Sequence, residues 1–88
     1  QYERATLDYD EAIRLNPKHA VAYFNRGLSY IVLRQYERAL LDFDTVIRLK
    51  PGDAIAYYFR GVSYENLGKP IEAERDHATA KELGFEPP

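Results

Sequence analysis

The chain has 88 residues, a formal net charge of -2 and a pI near 5.6, so its bulk charge points to no polyanion partner. Cysteine is absent, which excludes disulfides, Cys-ligated zinc, iron–sulfur clusters and thiol catalysis and leaves the redox compartment undetermined. With 45% hydrophobic and 14% aromatic residues the chain can build one core, while its longest apolar run, Ala54 to Phe59, falls far short of the ~20 residues of a membrane span. A soluble chain with no membrane partner is expected, with a cytoplasmic setting favoured.

Tyr2 to Leu15 is predicted to be a helix because it repeats the later segment Tyr36 to Leu49. In Ala20 to Leu33, the residues Tyr23, Gly27, Tyr30 and Val21, Phe24, Leu28, Ile31 recur at three- and four-residue steps, the helical period. Tyr36, Ala39, Leu40, Phe43, Val46, Ile47 and Leu49 do the same. Pro51 and Gly52 end that helix, since proline cannot continue the ladder and glycine tolerates left-handed geometry. Asp53 is the expected N-cap of Ala54 to Leu67, which Gly68 closes; Pro70 suits the first turn of a helix ending at Leu83 before Gly84. Phe85 to Pro88 reads as an exit segment. Five helices joined by short linkers make antiparallel neighbours.

A shift of 34 places aligns Gln1-Tyr2-Glu3-Arg4-Ala5 with Gln35-Tyr36-Glu37-Arg38-Ala39, and 20 of the first 34 offset pairs are identical. Such a period means stacked supersecondary units, and 88 residues hold about 2.6 of them. The central unit carries Tyr23, Gly27, Tyr30, Ala39, Phe43, Val46 and Pro51. Its successor carries Tyr57, Gly61, Tyr64, Ala73 and Ala80, and the opening half-unit Ala5, Tyr9, Ala12 and Pro17. This pattern resembles the tetratricopeptide repeat over the whole chain. The resemblance implies an all-α right-handed solenoid divided as 1–17 (second helix of a truncated repeat), 20–53, 54–84 and an 85–88 tail.

Gly27 and Gly61 fall mid-helix, where glycine costs about 1 kcal/mol relative to alanine, so close approach at Ala39 and Ala73 is expected. The aromatic positions read as core. The family usually has Leu before the glycine and Trp three places ahead of it; here those places hold Arg26 and Arg60, and Tyr23 and Tyr57. Asp8, Asp42 and Asp76 share the same period, which suggests an Arg–Asp ladder that fixes register. The ends differ. The start at Gln1 and the absence of methionine suggest an internal fragment whose first helix exposes Ala5, Tyr9 and Ala12. Leu41, Phe43 and Ile47 become Arg75, His77 and Lys81, the polar character expected of a closing helix.

By the same resemblance, the first helix of each unit lines a concave groove. Its expected lining is Val21, Phe24, Asn25, Leu28, Ile31 and Val32 from one helix, and Ile55, Tyr58, Phe59, Val62, Glu65 and Asn66 from the next. Two roles fit this apolar stripe: packing on neighbouring first helices, or accepting an apolar peptide or helix. Some family members hold the acidic C-termini of chaperones with Lys and Asn; here only Asn25 fits, so an apolar ligand is favoured. Phe24, Leu28, Tyr58 and Phe59 are the expected anchors.

Support for chemistry is thin. Glu74 and His77 have the E-x-x-H spacing of carboxylate metal sites but no second copy, and His19 suits a weak helix cap better than a general base. No phosphate loop or nucleophile motif occurs, so no catalytic, cofactor or metal residue is assigned. Arg38 near Asp42 and Arg48 near Asp44 read as self-neutralised faces, against nucleic acid as a partner. The expected function is a protein-interaction scaffold that is no enzyme, with structural homo-oligomerisation through the same apolar surface and the uncovered N-terminal helix as the alternative.

Overall fold

The computed structural model describes residues 1–87. Five helices follow in order: α1 (Tyr2–Leu15), α2 (Ala20–Val32), α3 (Tyr36–Leu49), α4 (Ala54–Asn66) and α5 (Pro70–Glu82). Each packs on its neighbour in the chain, and α2 also touches α4, which is the contact pattern of stacked helical pairs. The expected segments all form; Leu33, Leu67 and Leu83 cap their helices instead of extending them.

Local chemistry explains the boundaries. His19 Nδ1 accepts from the Ala22 amide at 3.3 Å and Asp53 Oδ1 accepts from the Ala56 amide at 3.1 Å, so each satisfies a donor that the helix start leaves free. At the far end of α2 the chain turns through a left-handed Arg34 (φ 60°), and the Gln35 amide donates to Tyr30 O at 2.8 Å. Gly68 (φ 74°) and Gly84 (φ 99°) make the same turn after α4 and α5, where the Lys69 and Phe85 amides each reach back five residues at 2.9 Å. Gly52 departs from expectation: it does not take a left-handed φ, because α3 already ends at Lys50 and Pro51 supplies the stop. Of the exit segment, Phe85 to Pro87 runs without regular structure, and Pro88 lies outside the described residues.

The core is built largely from small residues. Ala39, Phe43, Val46 and Ala56 are fully buried, and Tyr23, Phe24, Leu28, Tyr30, Ile31, Ile47 and Phe59 pack against them half-buried. Phe24 meets Phe43 edge-on (centroids 5.7 Å apart) and Phe59 edge-on (6.0 Å), while Phe43 stacks on Phe59 at 6.1 Å. The mid-helix glycines serve this packing, but at other partners than Ala39 and Ala73. A Cβ on Gly27 would stand 2.8 Å from Cζ of Phe43, and one on Gly61 would stand 2.6 Å from Cε1 of His77. The ring, not the alanine, claims the space.

Candidate peptide-binding groove

Arginine organises the surroundings of the groove. Arg26 on α2 donates through Nε and Nη2 to both Asp42 oxygens on α3 (2.9 and 2.7 Å) and through Nη1 to Asp10 on α1 at 2.8 Å. Arg60 repeats this between Asp76 on α5 (2.7 and 2.7 Å) and Asp44 on α3 at 3.1 Å. Each guanidinium therefore joins three helices, and it lies between two tyrosine rings: Tyr23 and Tyr30 around Arg26, Tyr57 and Tyr64 around Arg60. The paired carboxylates hold both arginines well above their ordinary pKa. Burial pushes the Asp42 carboxyl up, and Arg26 pulls against it.

The expected ladder is thus present at Asp42 and Asp76, but Asp8 lies exposed outside it, and Asp10 and Asp44 supply a second set of rungs that the sequence reading did not assign. This also corrects the pairing inferred along single helices. Asp42 takes Arg26 in bidentate contact across helices, which satisfies both of its carboxylate oxygens, and Asp44 accepts a single bond from Arg60 through Oδ1, so neither pairs with Arg38 or Arg48. Arg38 instead reaches Gln35 and lies over Tyr30.

Ten of the twelve expected groove residues divide among three separate concavities, and Val62 and Asn66 line none of these. Val21 (56% exposed), Phe24 and Ile55 (42% exposed) share a cavity of about 200 Å³ with Lys50 and Asp53. Asn25, Leu28, Ile31, Val32 and Phe59 line another of about 410 Å³ together with Tyr2 and Tyr9 of α1. Tyr58 and Glu65 face a third, of about 570 Å³, beside His77 and Phe85. Val62 is half-buried, and its carbonyl accepts from Asn66 Nδ2 at 2.8 Å. Tyr2, Tyr9 and Lys50 were not assigned from the sequence; the alignment of Tyr9 with Phe43 was the available signal.

His77 occupies the place of Phe43 in the next unit. Its Nε2 lies 3.0 Å from Oε1 of Glu65 on α4, so its partner is not Glu74. Nδ1 is buried with no hydrogen-bond partner among the described residues, consistent with an Nε2–H tautomer facing Glu65. Tyr58 packs on this ring at 5.2 Å and on Phe85 of the exit segment at 5.0 Å.

The sequence model of the tetratricopeptide repeat matches residues 20–53, the complete central unit. The second TPR of Spaghetti (RPAP3), solved bound to the HSP90 peptide SRMEEVD, superposes with a TM-score of 0.90 at 33% identity, over 93% of this chain and 76% of that one. The Arabidopsis OM64 TPR domain gives 0.92 at 31% identity, over 96% and 69%. MamA gives 0.89 at 32% identity over 93% of this chain, which spans about half of that protein's length, 48%. No curated protein sequence matches. With its repeat period, its paired helices and these relatives, the chain belongs to the tetratricopeptide repeat family.

Proposed function

We propose that this chain is a protein-interaction scaffold that receives an apolar peptide or helix in the concavity between the N-terminal halves of α2 and α4. One observation carries the reading: Val21 and Ile55 expose branched apolar side chains, 56% and 42%, in one concavity with half-buried Phe24. Exposed side chains around a rigid aromatic floor offer area without ordering cost. The peptide held by the second TPR of Spaghetti ends in acidic residues, whereas Lys50 and Asp53 of this concavity offset one another. An apolar ligand is the better match.

Val21→Glu with Ile55→Glu tests the site, because both side chains are exposed and the change should leave the fold intact. A labelled amphipathic Leu-rich helical peptide should bind the parent and lose affinity at least tenfold in the double variant, at unchanged Tm. Unchanged affinity, or preference for SRMEEVD, rejects the assignment. A second reading, homo-oligomerisation, is favoured by Leu7 and Leu41, which stand at equivalent places on α1 and α3, 66% and 67% exposed. Light scattering over a hundredfold concentration range separates the two: a constant mass of 10.2 kDa leaves the groove open, and a rising mass supports self-assembly.

A further inference from the structure

Positions 34 residues apart carry different chemistry on the two helical pairs. Phe24, Ile31, Phe43 and Ile47 of α2 and α3 are all apolar, and each belongs to the core or packs against it. The corresponding places on α4 and α5 hold Tyr58, Glu65, His77 and Lys81. Rings are kept, while the aliphatic places become charged. The ring packing changes with them. Phe59 bridges the first pair, meeting Phe24 at 6.0 Å and stacking on Phe43 at 6.1 Å. Phe85 of the exit segment meets Tyr58 at 5.0 Å, but among the described residues its ring does not pair with that of His77, whose ring partner is Tyr58 at 5.2 Å. All three rings line the concavity of about 570 Å³, together with Glu65, Lys81 and Glu86. A space of this size accommodates a bulky side chain or a small molecule.

We propose that this concavity takes an aromatic side chain from an extended segment of a partner, packed beside His77 as Phe59 packs on Phe43. Its walls are fixed in advance. A Cβ on Gly61 would stand 2.6 Å from Cε1 of His77, so that ring lies tight against α4, and its Nε2 is held 3.0 Å from Oε1 of Glu65. The Phe85 amide donates to Ala80 O at 2.9 Å, which anchors the third wall. Rings set at an angle to one another favour a further ring in edge-on or offset contact, and a prearranged pocket binds it at little ordering cost. The charged rim decides the form of the ligand. An apolar helix face laid here would bury the Glu65 carboxylate, 57% exposed, and the Lys81 ammonium. An extended segment instead inserts one side chain and leaves its backbone donors and acceptors to the rim. The site deepens the scaffold reading, but it lies between α4, α5 and the exit segment, apart from the Val21 and Ile55 concavity. Val21→Glu with Ile55→Glu should leave it intact, so either assignment can fail alone.

N-acetyltryptophanamide is the probe, followed through the ring-proton NMR signals of Tyr58, His77 and Phe85 in the 88-residue chain. All three should shift and saturate together with a Kd on the order of 1 mM, the range of a single side chain without its flanking segment. N-acetylleucinamide should bind at least threefold more weakly. Phe85→Ala should weaken the aromatic probe at least threefold at unchanged helicity by circular dichroism, and Phe85→Tyr should keep the parental affinity. If Phe85→Ala loses helicity, Phe85→Leu keeps the apolar bulk without the ring and should weaken the probe at least twofold. Shifts that do not saturate, equal affinity for the leucine analogue, or an affinity indifferent to the loss of the Phe85 ring overturns the proposal. Movement of the same signals on raising the protein concentration without probe does so too, because it assigns the concavity to a second copy.

Discussion

Replacing Arg26 by leucine takes away the group that joins α1, α2 and α3 and leaves the Asp42 carboxylate, 2% exposed, without both of its hydrogen bonds. Removing one partner of a buried ion pair costs about 3–5 kcal/mol. Leucine returns some apolar contact with Tyr23 and Tyr30, and Arg26 is itself one-fifth exposed, so about 2–4 kcal/mol is expected here. A chain of this length has roughly 4–13 kcal/mol in total, so Tm should fall by about 10–25 °C. The loss should depend on pH. Burial already raises the Asp42 carboxyl, and without Arg26 its folded pKa rises further above the unfolded value. The penalty is therefore full above the folded pKa and disappears as pH falls below the unfolded one, near ~3.9. Thermal melts by circular dichroism at about pH 7 and about pH 4 should show the gap between variant and parent narrowing in acid. Arg26→Leu with Asp42→Leu should recover most of the lost stability, since neither charge is then stranded. A Tm within about 2 °C of the parent at neutral pH, or a gap that does not change with pH, would refute the reasoning.

Gly27→Ala should cost about 1–2 kcal/mol by chemical denaturation, because the enclosed Phe43 ring cannot retreat and the gain in helix propensity offsets only part of the collision. Gly61→Ala should cost less, since the half-exposed rim around His77 lets that ring swing out; equal costs would contradict this packing. Arg34→Gly should raise Tm by a few degrees, because an L side chain at φ 60° is strained by roughly 1 kcal/mol and the equivalent turn already uses Gly68. A fall in Tm would mean that the Arg34 side chain makes stabilising contacts that outweigh its backbone strain.

The helices were legible because each is written twice or more in the same register, and their caps are local chemistry: His19, Asp53, Gly68 and Pro70 act within a turn of where they stand. The ladder was legible as a series of aspartates at a fixed period, but not its second strand. Asp10 and Asp44 sit two residues beyond Asp8 and Asp42, and that step carries a side chain round to the face that meets the following helix. The groove was legible only as a stripe. Which of its residues form floor and which stay exposed depends on the distance between α2 and α4, and Phe24, Phe43 and Phe59 set that distance by meeting edge-on and stacked. By itself, then, the sequence determined the period, the helices and the family resemblance, all of which rest on contacts within a few residues or on self-similarity. Tertiary structure alone decided which carboxylate each arginine takes, why Gly27 must lack a side chain, and where Val21 and Ile55 remain open, because these follow from how close helices sixteen or more residues apart are allowed to come.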